Sequence, residues 1–450
     1  MAKRAERLVS LDAYRGFIMI MLAASGFGIA AMSRNANPDD LRWQILDLRE
    51  WNWISHHFSH PNWQSNFAIG SHDAQAGSPW LRCAVSFWDL IQPAFMFMVG
   101  AAMPYSYRSR QQRGDTKYQM LRHAFVRAIV LTLLGVFLYS IRSNQTNWIF
   151  PNVLAQIGLG YFFVYLISLA PRWGQITAFV AILFLSWTMF AVYQVPESYA
   201  PEEVNAKVEN GEVLTGFFGH WTKNGNAASA FDEWFLNQFP LPRDDDGQPI
   251  PYKFNAGGYT TLNFFPAMAT MLLGVFAGQL LMSERKPSRK LLDLLGLGGV
   301  LLLTGILAGA TCCPIIKRIW TPSWVLLSGA YVMWGLALFY LLFDVLPLKR
   351  LAFPMVIVGM NSLAMYLMGE LLRGWFTKHV VQTHFGDALR WLLGQLTMRL
   401  GWMERMQATP ETVGQVTYEV FQPMVDATSA FLVMWLIAYY MYRQRIHVRI

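Results

Sequence analysis

Ser86-Phe87-Trp88-Asp89-Leu90-Ile91-Gln92-Pro93-Ala94-Phe95-Met96-Phe97-Met98-Val99-Gly100 is apolar enough for lipid and still carries an acid and an amide. Such a run reads as part of a membrane helix. An ionisable group inside it is expensive unless it faces protein or water, so Asp89 marks a functional-site candidate. Upstream lies His56-His57-Phe58-Ser59-His60-Pro61-Asn62-Trp63, which puts three histidines just outside the span. The rest of the chain has the same character. Of 450 residues, 54% are hydrophobic, 15% aromatic and only 14% charged. Many stretches stay apolar for about 18 residues or more, the length a helix needs to cross a bilayer. The expected fold is an all-α integral membrane protein, a polytopic bundle of about ten transmembrane helices with external loop insertions.

The spans are expected at about 9–31, 84–104, 122–141, 150–170, 174–194, 262–282, 291–311, 322–345, 352–372 and 426–442. Met1-Ala2-Lys3-Arg4-Ala5-Glu6-Arg7 has no convincing cleavage site behind it, so the first helix is expected to stay as an anchor. Basic clusters fall in every second connection: Lys3, Arg4 and Arg7; Arg108 to Arg122; Arg172; Arg285 to Lys290; Lys349 and Arg350; Arg443 to Arg449. By the positive-inside rule both termini are then cytoplasmic, in an inner (cytoplasmic) membrane, and the external loops are 32–83, 195–261 and 373–425. Arg390 to Leu400 is too short and too charged to span and reads as an interfacial helix within the last of these. No solenoid repeat or linker divides the chain, so residues 1–450 are expected to form a single transmembrane domain. The net charge of +8 comes from these loop clusters and implies the lipid bilayer as partner, with no nucleic acid. Cys83, Cys312 and Cys313 leave open a disulfide or three membrane-buried thiols, and no metal-ligand spacing is present.

Several residues could carry chemistry. Asp12 and Arg15 stand at i,i+3 on the first helix, either as a fold-fixing ion pair or with Arg15 meeting an anionic ligand from the cytosol. The proline after His60 argues against a helical zinc site in the histidine loop, and a neutral imidazole there can instead act as general base or carry an acyl group. Asp89 could orient such an imidazole, or be a buried carboxylate satisfied by donors such as Ser86. Arg127, Asn152, Gln156, Asn263, Thr270, Asn361, Ser362 and Glu370 lie inside other spans, as interhelical hydrogen-bond partners or as a continuous polar path. The turns Asn255 to Pro266 and Pro314 to Ser323 offer hydroxyls, amides and aromatic faces suited to a sugar, and Lys317 and Arg318 there break the positive-inside pattern. No Walker loop, dinucleotide fingerprint or nucleophile elbow is present, which argues against an ATP-driven pump.

Arg7-Leu8-x-Ser10-Leu11-Asp12-x-Tyr14-Arg15-Gly16, His60-x-x-Trp63, Asp89-Leu90-Ile91-Gln92-Pro93, Lys317-x-x-Trp320-Thr321-Pro322-Ser323 and Gly359-Met360-Asn361-Ser362 together resemble the heparan-alpha-glucosaminide N-acetyltransferase family of transmembrane acyltransferases, in a bacterial-type form. The resemblance implies transfer of an acetyl group from cytosolic acetyl-CoA to an amino sugar or related glycan outside the cytoplasm. A cell-envelope or imported amino sugar is the better expectation than heparan, and O-acetylation is a near alternative. It selects His60, with Asp89, as the catalytic pair. Trp63, Asn263, Lys317, Trp320, Asn361 and Ser362 are expected to bind the acceptor, and Asp12, Arg15, Arg108, Arg110, Arg122 and Arg127 the CoA. No metal is called for, and a homodimer is left open. The chain departs from the family pattern at Gly26, where members that acetylate heparan carry an asparagine, and at Gly369-Glu370, where a His-Glu pair is usual. The rivals are a degenerate, non-catalytic member and a transporter of sugars or amphiphiles. The latter would call for inverted repeats and paired broken helices, and neither is visible in the sequence.

Overall fold

In a computed structural model, the structure describes residues 8–33, 48–60, 63–64 and 85–448. Cys83 lies outside the described residues. The helices run in the order α1 (Val9–Ala23), α2 (Leu48–His57), α3 (Phe87–Gln112), α4 (Lys117–Ser140), α5 (Val153–Ser168), α6 (Arg172–Ala191) and α7 (Ala227–Leu236). They continue as α8 (Phe264–Met282), α9 (Pro287–Thr311), α10 (Pro322–Tyr340), α11 (Phe353–Met360), α12 (Ser362–Leu371), α13 (Gly386–Arg399) and α14 (Val413–Arg443). Among the described residues the sole β pairing is an isolated bridge between Arg243 and Pro249.

Six helices are long and apolar enough to cross a membrane, and the number rises to eight if each of two bent pairs is one span. The chain is therefore an integral membrane protein, while the expected count of about ten is not confirmed. α5 has only 16 residues, about 24 Å at the helical rise, against a hydrocarbon core of about 30 Å. α3 is long, but its ends carry Asp89 and Arg110 and it holds two prolines. Two expected spans are broken. The first bends by 47° between Val9–Ala23 and Ser25–Met32, and the ninth by 70° between Lys349–Met360 and Ser362–Leu371. The last expected span, 426–442, begins well before its expected start, at Val413.

Two compact units divide the described residues: 8–33, 48–60, 85–91 and 342–448 in the first, 63–64 and 92–341 in the second. In the first unit α1 packs on α11 and α12, and α13 on α14. The contact between α1 and α11 is backbone on backbone: a Cβ on Gly16 would stand 1.7 Å from the Met355 carbonyl oxygen, and one on Gly359 2.0 Å from that of Asp12. Leu8 offers no side-chain cap to α1. The carboxylate of Asp344 does so from far along the chain, accepting the Val9 and Ser10 amides at 3.0 Å each.

In the second unit α8 is the centre, packed by α5, α6 and α10 and buried along most of its length. α3 meets it through small residues. A Cβ on Gly274 would lie 1.9 Å from the Phe97 carbonyl oxygen and one on Gly278 2.4 Å from that of Ala101, which is the close approach a Gly-x-x-x-Gly pattern permits in lipid. Gly274→Ala is expected to force the two helices apart and cost about 1–3 kcal/mol. Gly296→Ala, where a Cβ would meet nothing within 4 Å, is expected to be neutral or stabilising by less than ~1 kcal/mol. Thermal unfolding of the two purified variants checks the contrast.

Candidate functional site

His60 and Asp89 stand 29 positions apart in the chain and meet at 2.7 Å, Nδ1 to Oδ1. Local structure brings them together. α2 ends at His57, after which the Phe58 amide still reaches back to the Ile54 and Ser55 carbonyls. The proline after His60 then disfavours further helix. This departing strand is held by Ser86, immediately before α3. Its fully buried hydroxyl shares its hydrogen between the Ser59 carbonyl at 2.7 Å and the His57 carbonyl at 3.2 Å, and accepts the Trp88 amide at 3.2 Å. Asp89 sits in the first turn of α3, where the helix dipole favours a negative charge.

The pair is asymmetric: the Asp89 side chain is 6% exposed and that of His60 44%. An ionised carboxylate can only accept, so Nδ1 of His60 carries the hydrogen and Nε2 becomes the basic nitrogen. A half-exposed imidazole oriented by a buried carboxylate can take a proton from a nucleophile or accept an acyl group. His57 sits differently, ringed by Trp53 at 4.7 Å and His56 at 5.3 Å. Burial first, and the neighbouring His56 second, push its pKa down and hold it neutral.

Under this segment lies the break in the first span. Ser25, Gly26, Phe27 and Gly28 take φ of 48°, 60°, 55° and 72° in succession, a left-handed turn that only the glycines adopt without strain. A Cβ on Gly26 would come within 3.0 Å of the Phe58 ring and 3.1 Å of the Trp88 ring, the neighbours in sequence of Ser59 and Asp89. Gly28 needs its bareness for another reason, since a Cβ there would lie 2.1 Å from the Pro423 carbonyl oxygen. Two glycines in an apolar run were the available sequence signal for this break.

In the second unit, Trp63 is buried and donates its Nε1 hydrogen to the Trp221 carbonyl at 3.0 Å. Asn263 accepts from the Thr260 hydroxyl at 2.7 Å and donates to the Arg318 carbonyl at 2.6 Å, which ties the Asn255 to Asn263 turn to the loop that carries Lys317 and Trp320. Lys317 is buried, and Trp320, at φ 51°, donates to the Thr270 hydroxyl at 3.1 Å. Trp63, Asn263, Lys317 and Trp320 thus share this unit. Sequence reading missed their support, the buried Glu212, which pairs with Lys223 at 2.9 Å and stands 4.0 Å from Arg318.

Asn361 belongs elsewhere. It sits at the break of the ninth expected span, and its amide donates to the Ile446 carbonyl at 3.1 Å and accepts the Val448 amide at 3.0 Å. Its neighbour Gly359 packs at Asp12 and Gly16, whereas the His60 segment meets the first span at Gly26, past the C-terminal end of α1. Asn361 and Ser362 lie at the end of α1 that carries the half-buried Asp12 and Arg15.

Arg108, Arg110, Arg122 and Arg127 fall on α3 and α4 and do not form one cluster. Arg108 lines a cleft of ≈ 360 Å³ with Pro104, Tyr107, Gln111, Gln279 and Met282, within the range of small-molecule sites. Arg110 instead pairs with Asp115 at 3.0 Å and borders a smaller recess with His123 and Tyr165. Arg127 stacks over the Tyr161 ring at 4.9 Å, and Arg122 is exposed. Among the described residues no group of three His, Cys, Asp or Glu side chains is gathered to hold a metal ion.

No family model matches the chain. It is similar to the heparan-alpha-glucosaminide N-acetyltransferase of Mus musculus, 24% identical over 381 residues, which covers 73% of this chain and 56% of that protein. The Homo sapiens protein of the same name is 23% identical over 330 residues, 64% of this chain and 48% of its own. The chain spans about half the length of the curated relatives it matches. The likeness first read from short motifs thus extends over most of the chain.

Ser86→Ala removes the hydroxyl that holds both carbonyls of the His60 segment. It is expected to cost about 1–3 kcal/mol through the buried groups left unpaired, and to speed amide exchange at residues 57–60. Mass-spectrometric hydrogen exchange checks this.

Proposed function

We propose that the chain is a transmembrane acyltransferase that moves an acetyl group from cytosolic acetyl-CoA to an amino sugar or related glycan on the extracytoplasmic side. The observation that carries the reading is the His60–Asp89 contact at 2.7 Å, in a chain similar to two named N-acetyltransferases. Acetyl-CoA supplies the acyl group as a thioester. The cleft at Arg108 suits its phosphates, with one guanidinium and the amides of Gln111 and Gln279 around it. Arg15 on α1 is a second candidate for the anionic end.

In this reading His60 Nε2 removes the proton of the attacking amine as its nitrogen bonds to the acyl carbon, and the carbon–sulfur bond breaks. The imidazolium that results is stabilised by Asp89, and its proton goes on to the departing thiolate. In the acyl-carrier variant of the same scheme, Nε2 bonds to the acyl carbon as the carbon–sulfur bond breaks and the thiolate leaves; the amine then displaces the imidazole, and the amine's proton passes to the thiolate. Trp63, Asn263, Lys317 and Trp320 are assigned to the acceptor. The basic clusters support both termini on the cytoplasmic side of an inner membrane.

One finding favours a second reading, a transporter: the first unit contains two broken helices, the paired feature that the sequence did not display. The two readings separate in proteoliposomes given labelled acetyl-CoA and candidate amino sugars. Acyltransfer predicts acetylated product, reduced about 10²–10⁴-fold in His60→Ala, with Asp89→Asn strongly impaired as well. Undiminished transfer by His60→Ala would remove the histidine from the mechanism, and sugar flux with no need for acetyl-CoA would establish the transporter. Arg108→Ala is expected to raise KM for acetyl-CoA several-fold with kcat little changed, the pattern of lost ground-state binding.

A further inference from the structure

Asp232, on α7, is 1% exposed, and nothing in the proposed reaction uses it. Its Oδ2 accepts the Thr261 amide at 2.8 Å, while its Oδ1 is buried without a hydrogen-bond partner. Two further atoms on the same joint share that condition: the hydroxyl oxygen of Thr261 and Oε1 of Gln156. The Gln156 amide belongs to the joint because its Nε2 donates to the carbonyl oxygens of Phe150 at 3.0 Å, Thr261 at 3.1 Å and Thr260 at 3.4 Å. An ionised Asp232 would bury a charged Oδ1 with no donor to receive it, whereas a neutral carboxyl keeps the Oδ2 bond to the Thr261 amide without burying a charge, so the protonated form is the one this packing accommodates.

We infer that Asp232 carries a proton in the folded protein and that its neutral carboxyl, accepting the Thr261 amide, locks the Thr260–Asn263 turn onto α7, so that ionising it in its buried place loosens the turn. Burial drives the Asp232 carboxyl up to about 7, against the lowering effect of the hydrogen bond from the Thr261 amide. The charged and titratable groups around it are few. Glu233 follows it on α7, and Tyr252 faces it, with Tyr139 beyond. Tyr193, past the end of α6, faces Glu233. Tyr252 is itself pushed up by burial first and by the Asp232 charge second, so it brings no positive charge to hold a carboxylate. From α5 and the Thr261–Asn263 turn the contacts are the neutral side chains already named. The turn matters because Asn263 fastens it to the Arg318 carbonyl, and through that to the loop of Lys317 and Trp320. The lock therefore makes the firmness of that loop depend on pH.

The direction follows from linkage. A carboxyl whose folded pKa is raised from 3.8 to about 7 contributes stability that is full below the ordinary value and is lost as pH rises through about 7. In the wild-type protein in detergent, protection of the amides at residues 260–263, corrected for intrinsic exchange, is expected to fall roughly tenfold between about pH 6 and about pH 8. Infrared difference spectra across the same range should show a protonated carboxylic acid being lost. Asp232→Asn, whose amide keeps an acceptor for Thr261 and a permanent donor, is expected to lack that infrared band and to hold its protection across the range. A band that persists in Asp232→Asn, or wild-type protection that does not change with pH, would overturn the lock. If Asp232→Asn does not fold, the wild-type exchange profile alone decides, a flat profile counting against the lock and a tenfold fall for it. Neither measurement depends on acyl transfer, so the outcome is separate from that of the proposed reaction.

Discussion

In hydrocarbon a main-chain amide released from a helix finds no water, and every interruption of a span must be repaired from within the protein. The first unit makes three such repairs. At the start of α1 the amides of Val9 and Ser10 go to the carboxylate of Asp344, from the far end of the chain. At the break after Met360 the side chain of Asn361 is bound to the backbone at Ile446 and Val448. At the break in the first span the chain bonds to itself, the Phe27 amide reaching the Ala24 carbonyl through a left-handed turn. Each of these points in the first unit is tied to a specific partner, and the His60 segment rests against one of them, at Gly26.

Carboxylates do separate work in this chain. Asp344 stabilises a helix start, Asp89 faces an imidazole, and Asp232 faces only neutral donors and acceptors. The same side chain accepts two backbone amides in the first case, is set against a titratable partner in the second, and is driven towards neutrality by burial in the third. The environment, more than the residue type, determines the protonation state and with it the chemistry open to each group.

The legibility of the sequence follows the range of the forces. α4, α6 and α9 are recognisable because a long apolar run needs only its own composition to mark it. The breaks at Gly26 and Asn361 are set by what packs against them, Phe58 and Trp88 in one case and the segment at Ile446 in the other. Nothing local announces such partners. Asp89 stood out as an acid in an apolar run, but its meeting with His60 depends on Ser86 gripping two carbonyls. Asn361 was expected by motif to bind the acceptor, and its bonds to the backbone at Ile446 and Val448 had no signal in the sequence. Asp232 stood among ordinary loop residues, and only the packing of α7 on the turn at Thr261 makes it unusual.

The left-handed turn also bears on how this chain can change. Ser25 and Phe27 hold a backbone conformation disfavoured by about 1–2 kcal/mol for a residue with a Cβ. A single replacement by glycine could relieve that at either position. Sequences related to this one by drift would then be expected to collect glycines or asparagines here whenever stability alone is under selection. The phenylalanine at Phe27, whose ring lies edge-on to Phe431 at 5.7 Å, sets a packing contact against backbone comfort. The turn is therefore a point where the lineage's own history of substitutions can be read as a record of which demand prevailed.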